Sequence, residues 1–123
     1  MLCDDLVFSS KVVATGRAHG IAVAVARNPA ALVKKADEFP PACVILDLHN
    51  PTLVLPELLA LLKVSSSPRV IGFGSHVNFE LLKAAREAGC DAVMPRSQFH
   101  KLLESDLPSW ASLSPWGEGK RTE

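Results

Sequence analysis

The clearest hydrophobic pattern in the chain is an apolar run from Ala42 to Leu46 that ends directly at Asp47. An apolar run of this length with β-branched residues is typical of a strand that is buried on both faces of a parallel sheet. Asp47 then lies at the carboxyl end of the strand, where open α/β sheets place their ligand-binding groups. Taken alone, an aspartate here is more often a turn cap, so its role depends on what else reaches the same edge.

Four other segments have the composition of short strands, and helical patterns separate them. Asn28-Pro29, for example, is a capping residue followed by a proline at the first helical position, and Pro40-Pro41 ends that helix. The predicted strands are residues 2–3, 21–26, 42–47, 69–73 and 91–94. Residues 6–8 either extend the first strand or form a loop after it. The predicted helices begin at Ser9 or Ser10, Asn28, Pro56, Phe79 and Ser97.

Strands and helices therefore alternate through five β-α units, which predicts a parallel sheet with right-handed crossovers. Five units within residues 1–108 fit one α/β domain of the flavodoxin-like, doubly wound type. Its five-stranded parallel sheet would have the order 2-1-3-4-5 and helices on both faces. The looser composition of residues 109–123 predicts a C-terminal tail that is partly disordered.

Composition narrows the classes of function. Of the 123 residues, 48% are hydrophobic and only 6% aromatic, which suits one domain with an aliphatic core. Lys plus Arg and Asp plus Glu both number 13, so no overall basic field favours a nucleic acid or an anionic membrane. No segment reaches the ~20 apolar residues of a membrane span. Three cysteines without CxxC spacing and an acidic N-terminal segment favour a cytoplasmic protein without a disulfide framework or a zinc site.

The carboxyl ends of the predicted strands carry the candidate chemistry. Asp4 and Asp5 follow the first strand, Asp47 ends the third, Ser75 follows the fourth and Arg96 follows the fifth. In the predicted order the first and third strands are neighbours, so three carboxylates would share one crevice. Such a group favours a hard divalent cation, most naturally Mg²⁺, because the cation relieves the repulsion between the carboxylates. The hydroxyl and the guanidinium would then flank a bound anion.

This arrangement resembles the receiver domain of two-component response regulators over most of the chain. Receivers carry an acidic pair after the first strand, which Asp4 and Asp5 match. They carry a phosphoacceptor aspartate after the third strand with a proline four residues on, which Asp47 and Pro51 match. They also carry a serine or threonine after the fourth strand and a lysine after the fifth. In this chain the resemblance places Ser75 at the serine or threonine position and Arg96 at the lysine position.

The resemblance implies a stand-alone signalling domain of a phosphorelay, without enzymatic activity of its own. Asp47 would accept the phosphoryl group from a histidine kinase or a phosphotransfer protein. A protein partner would dock on the last two helices and the fifth strand, near Lys83, Arg86 and Lys101. A homodimer is also expected as a possible assembly. The residues implied as Mg²⁺ ligands are Asp4, Asp5, Asp47 and, through its backbone carbonyl, His49.

Three departures from the receiver pattern favour an alternative, a pseudo-receiver that binds its partner without phosphorylation. Arg96 replaces the lysine, and a planar guanidinium is not equivalent to a compact ammonium at a phosphate contact. Val93 stands where receivers often carry an aromatic residue that moves on phosphorylation. Ser75 lies one residue away from the expected hydroxyl position, which without a gap is Gly74.

Two cofactor-binding classes share the predicted fold and fit the chain less well. Asp47-Leu48-His49 has the DxH pattern of cobalamin-binding domains, but there the motif follows the first strand and continues to a glycine, whereas this chain has Thr52. A flavin-binding electron carrier would need a phosphate-binding loop after the first strand. Asp4 and Asp5 would repel a phosphate at that position.

Overall fold

A computed structural model describes residues 1–65 and 67–112, and from residue 29 onward its helices and strands alternate as the hydrophobic pattern predicts. The helices of the described part are α1 (Leu6–Ala18), α2 (Pro29–Glu38), α3 (Leu55–Ser65), α4 (Phe79–Ala88) and α5 (Arg96–Trp110). Its strands are β1 (Cys43–Asp47), β2 (Arg69–Gly74) and β3 (Ala92–Pro95), which pair in parallel in the order β1-β2-β3.

The first two predicted strands are present only as isolated parallel bridges, from Leu2 to Ala26 on one side and from Leu2 to Leu46 of β1 on the other. Backbone hydrogen bonds join Leu2 N to Ile45 O at 2.8 Å and Cys3 N to Ala26 O at 3.0 Å. These bridges involve one residue of the N-terminal segment, so they do not form a ladder. The α/β class and the parallel sheet are confirmed, and the five-stranded order stays a prediction.

Both faces of the sheet are buried, as the apolar run 42–46 predicts. Successive residues of a strand point to opposite faces, and Val44 and Leu46 accordingly pack into the core under α2, α3 and α4. Ile45 packs into the second core, between the sheet, α1 and α5. Asp47 follows Ile45 with the same two-residue period, so the sheet directs its carboxylate toward the α1 and α5 side.

Four aromatic side chains fill the second core. Phe8 of α1 contacts Phe73 of β2 with ring centroids 5.1 Å apart, and Phe73 stacks on Phe99 of α5 at 4.9 Å. Phe99 in turn stacks on Trp110 at 5.4 Å. Four aromatic residues of the chain are therefore clustered where the two helices meet the sheet.

Two helices begin earlier than the capping residues of the sequence predict. The prediction that Ser9 or Ser10 caps α1 is wrong, because Asp5 is the cap and accepts a hydrogen bond from Phe8 N at 3.1 Å. The prediction that Ser97 caps α5 is also wrong. That helix starts at Arg96, directly after Pro95, whose φ of −62° suits a helix entry.

The end of α5 is fixed to the amino end of β2. Arg69 Nη1 donates to the carbonyl oxygens of Ser109 at 2.8 Å and of Trp110 at 2.9 Å. A cation suits this position because the carbonyls at a helix C-terminus carry partial negative charge. Helix α5 thus continues into the first residues of the predicted tail, and residues 113–123 of that tail lie outside the described residues. Within the described ranges no helix combines the length and the apolar character needed to cross a membrane.

Replacing Phe99 by alanine is expected to lower the free energy of unfolding by about 3–5 kcal/mol, because it opens a cavity between Phe73 and Trp110. Urea unfolding followed by circular dichroism measures the change. The matched control is Phe39→Ala, since Phe39 is 80% exposed and its loss should change stability by no more than about 0.5 kcal/mol. Similar losses in the two variants would contradict the aromatic core.

Candidate functional site

Asp47 lies at the carboxyl end of β1 and is only 7% exposed. Its backbone N donates to Leu2 O at 3.0 Å, which fixes the aspartate between the N-terminal segment and β2. One carboxylate oxygen, Oδ1, accepts a hydrogen bond from His49 N at 3.0 Å. A buried carboxylate needs such partners, because taking it out of water without them is costly.

The second oxygen of Asp47 faces Arg96, the first residue of α5. Arg96 Nη2 lies 3.5 Å from Asp47 Oδ2, and Nη1 lies 3.4 Å from Asp5 Oδ2. Both contacts are ion pairs, and the one to Asp5 is also a long hydrogen bond that Arg96 Nη1 donates. One guanidinium therefore bridges two of the three predicted carboxylates, which a single lysine ammonium with its compact charge could not do in the same planar geometry.

Aromatic rings fix the position of this guanidinium. Its central carbon, Cζ of Arg96, lies 4.7 Å from the centroid of the Phe8 ring and 5.4 Å from that of Phe73. A cation over an aromatic face is attracted by the negative charge of the ring. The early start of α1 brings Phe8 to this place, so the site depends on the helix boundary that the sequence did not predict.

Asp5 has two structural roles at once. Its Oδ1 accepts from Phe8 N as the cap of α1, and its Oδ2 pairs with Arg96. The hydrogen bond from the Phe8 amide, followed by that from Arg96, holds the pKa of the Asp5 carboxyl below its ordinary value of 3.8. Asp5 therefore stays ionised to lower pH than a free aspartate.

Asp4 points to a different partner. Its Oδ1 lies 3.6 Å from Arg27 Nε, and both side chains are more than 60% exposed. Such an exposed pair contributes little to stability because water screens it. The structure thus brings Asp5, Asp47 and Arg96 together, while Asp4 forms an ion pair at the rim.

Ser75 reaches the site through its backbone rather than through its hydroxyl. Ser75 N donates to His49 Nε2 at 2.8 Å, while Ser75 Oγ accepts from Val77 N at 3.4 Å. The hydroxyl thus accepts a hydrogen bond within the turn before α4. The predicted role of Ser75 beside a bound anion stays a prediction.

The predicted Mg²⁺ site does not fit the side chains as they are arranged. All three carboxylates have arginine partners, Arg27 for Asp4 and Arg96 for Asp5 and Asp47. In the part of the chain that the structure describes, no three side chains of His, Cys, Asp or Glu are grouped closely enough to hold a metal ion. The charge that a divalent cation would neutralise is balanced here by guanidinium groups.

One residue of the site, Asn50, was missed by the sequence analysis. Asn50 is 7% exposed, and its Nδ2 donates to Arg27 O at 2.9 Å. Its Oδ1 accepts from Thr52 N and Thr52 Oγ1, which closes the turn after β1. The Asn50-Pro51 pair is a turn signal in the sequence, but only the structure reveals that the amide also fixes the segment carrying Arg27.

Comparisons with known proteins identify the fold. No family model matches the chain, and no curated protein sequence matches it. The following solved structures are similar. One is a response regulator from Burkholderia pseudomallei with a phosphorylated aspartic acid and a calcium ion, at TM-score 0.69 and 18% identity, covering 88% of this chain and 66% of that one. Another is the signal receiver domain of a LuxO repressor protein from Vibrio parahaemolyticus, at TM-score 0.74 and 13% identity, covering 89% and 85%.

The Mn²⁺-bound form of the response regulator Rcp1 is similar at TM-score 0.72 and 15% identity, with 93% of this chain and 94% of that chain covered. Sequence identities this low establish the fold and not the chemistry. The chain therefore has the receiver-domain fold that the sequence resemblance predicts. The roles of its site residues have to be argued from the residues themselves.

Replacing Asp5 by asparagine is expected to reduce the loss of stability in acid. Because the pKa of Asp5 is lowered in the folded state, its ionised form stabilises the fold above pH 3.8, and this contribution is lost as the pH falls through the lowered value. Asparagine caps a helix about as well as aspartate but carries no charge. Urea unfolding at a series of pH values below 3.8 should therefore show a shallower decline in the variant.

Asp5→Ser is the matched control, because serine also caps a helix without a charge. Agreement between the pH profiles of the two variants would assign the effect to the charge of Asp5. If both variants lose stability in acid as steeply as the wild type, the proposed effect of the Phe8 amide and Arg96 on Asp5 is contradicted.

Proposed function

We propose that this chain is a non-catalytic signalling domain with the receiver fold that binds a protein partner without being phosphorylated. The observation that carries this proposal is the guanidinium of Arg96, which lies between Asp5 and Asp47. It lies between the two carboxylates and neutralises one of their two negative charges. A fixed cation there makes the site independent of a metal ion and of a phosphoryl group.

The packing around Arg96 supports a lasting rather than a transient contact. Phe8 and Phe73 contact the guanidinium, and both rings are buried. Removing Arg96 from the site would leave Asp47, at 7% exposure, without its charged partner. Leaving a mostly buried carboxylate without its cation costs free energy. Solvent screening reduces this cost because the Arg96 side chain is 42% exposed, but the arginine-paired arrangement is still favoured.

A switching receiver, in which Asp47 accepts a phosphoryl group with the help of Mg²⁺, is the second candidate. It is favoured by the position of Asp47 at the end of β1, beside the acidic pair that follows the N-terminal segment. In this function a histidine kinase or a phosphotransfer protein would be the donor. Mg²⁺ at Asp4, Asp5, Asp47 and the His49 carbonyl would first require the arginine partners to move away.

The partner surface that we propose is the face formed by α4, β3 and α5. Arg86 Nη2 donates to Val93 O at 3.4 Å, which ties α4 to β3 on this face. Lys83 and Lys101 are exposed on the two helices. Basic side chains on both sides of β3 suit an acidic surface on a partner protein. A second copy of the chain is one candidate for this partner.

The free cysteines are consistent with a cytoplasmic location, which we propose for the domain. Burial raises the pKa of the Cys43 thiol to about 12 and that of the Cys90 thiol to about 11. Both groups are therefore protonated and poorly reactive near neutral pH. They act as packing residues rather than as nucleophiles or metal ligands.

The two candidate functions differ in their response to a phosphoryl mimic. Wild-type protein with beryllofluoride and Mg²⁺ is expected to show no change in the amide NMR shifts of Asp47 and His49, because Arg96 occupies the site. Arg96→Lys is expected to make these amides responsive, since an ammonium leaves room for the ligand. Arg27→Lys is the matched control at the Asp4 pair and should stay unresponsive.

A response of the wild type that disappears in Asp47→Asn would overturn the proposal and establish the switching receiver. No response in Arg96→Lys would contradict the role assigned to Arg96, because the site would then be closed by something else.

A further inference from the structure

The loop after β1 folds back over the carboxyl end of β2, and two glycines of β2 make this possible. A Cβ at Gly72 would lie 3.2 Å from Leu48 Cδ2, and one at Gly74 would lie 3.3 Å from His49 Nε2. Both distances are shorter than ordinary van der Waals contact between such atoms. Gly72 and Gly74 therefore allow the side chains of the Asp47 loop to lie directly on the backbone of the neighbouring strand.

His49 uses this close approach to make a hydrogen bond. Its ring nitrogen Nε2 accepts from Ser75 N at 2.8 Å. An imidazole nitrogen accepts only when it carries no proton, so the ring proton lies on Nδ1. At the other end of the residue, His49 N donates to Asp47 Oδ1 at 3.0 Å. A single residue thus connects the Asp47 carboxylate to the segment that follows β2.

That segment determines how α4 begins. Ser75 O accepts from Asn78 N at 3.1 Å, and the side chain of Asn78 caps α4 by accepting from Leu81 N at 3.1 Å. The position of the Ser75 amide therefore sets the turn from which α4 starts. Val77 and Phe79 lie in the same stretch and are more than 70% exposed, so apolar packing does not fix it.

We propose that His49 is a positioning residue that couples Asp47 to the start of α4, through its backbone amide on one side and its neutral imidazole on the other. The coupling uses only groups of the chain and needs neither a metal ion nor a phosphoryl group. This inference rests on the proposed function, because a domain that binds its partner without a signal needs its partner surface, which includes α4, held in one state.

NMR tests the contact directly in the wild-type protein, without Mg²⁺ or a phosphoryl mimic, at about pH 8, where an ordinary imidazole is neutral. An N–H···N hydrogen bond transmits a scalar coupling between its two nitrogens. We expect such a coupling between Ser75 N and His49 Nε2, together with ring nitrogen shifts that place the proton on Nδ1. Absence of the coupling with the proton on Nε2 would overturn the inference.

Variants test the consequence. His49→Ala is expected to speed amide exchange of Ser75 by about tenfold or more, since its acceptor is lost, and to shift the amides of Val77 and Asn78. His49→Gln should restore most of the protection, because Gln Oε1 can accept in place of Nε2. His76→Ala, at an exposed histidine of the same segment, is the matched control and should leave Ser75 unchanged.

Unchanged exchange of Ser75 in His49→Ala would overturn the coupling. Equal loss of protection in the Ala and Gln variants would also overturn it, because the effect would then come from ring packing and not from an acceptor. A response of the wild type to beryllofluoride would overturn the proposed function but leave the wild-type N–N coupling intact, so the two failures can be told apart.

Discussion

The contact on which the site depends is the guanidinium of Arg96 between the carboxylates of Asp5 and Asp47. It joins four elements at one point, because Asp5 caps α1, Asp47 ends β1, Phe73 of β2 contacts the cation and Arg96 itself begins α5. Arginine suits this role because its charge is permanent and its planar group can face two acceptors at once while a ring covers its face. The geometry of α1 and α5 relative to the sheet is therefore coupled to the charge balance of the crevice.

The same contact changes what an acidic crevice means for function. Clustered carboxylates usually indicate a metal ion, because ions of one sign cannot share a site without a counter-charge. In this structure Arg96 lies beside Asp5 and Asp47, and Arg27 lies beside Asp4. A receiver-like fold can thus keep an acidic crevice while its charge is balanced within the protein. The aspartates alone do not distinguish these two cases; their partners do.

The sequence predicted the parts of this structure that depend on local patterns and missed those that depend on tertiary contacts. The apolar run 42–46 identified β1 and placed Asp47 at its end, because burial on both faces leaves a clear signal. The cap of α1 could not be predicted, because Ser9 and Asp5 are both good capping residues and only the contact of Phe8 with Phe73 favours the earlier start. Nor does any local pattern distinguish an exposed Arg96 from one that bridges two carboxylates. The glycines of β2 were visible in the sequence, but the sequence did not show why they are needed. They make room for Leu48 and His49, which belong to a different segment of the chain.

Both oxygens of the Asp47 carboxylate are engaged by the chain itself, Oδ1 by the amide of His49 and Oδ2 by Arg96. The two partners lead in different directions, since His49 continues to the segment before α4 and Arg96 begins α5. These two helices border the proposed partner surface on either side of β3. The buried Asp47 carboxylate is thus linked to the starts of both helices. Asp47 therefore contacts the first residue of α5 directly and the segment before α4 through His49.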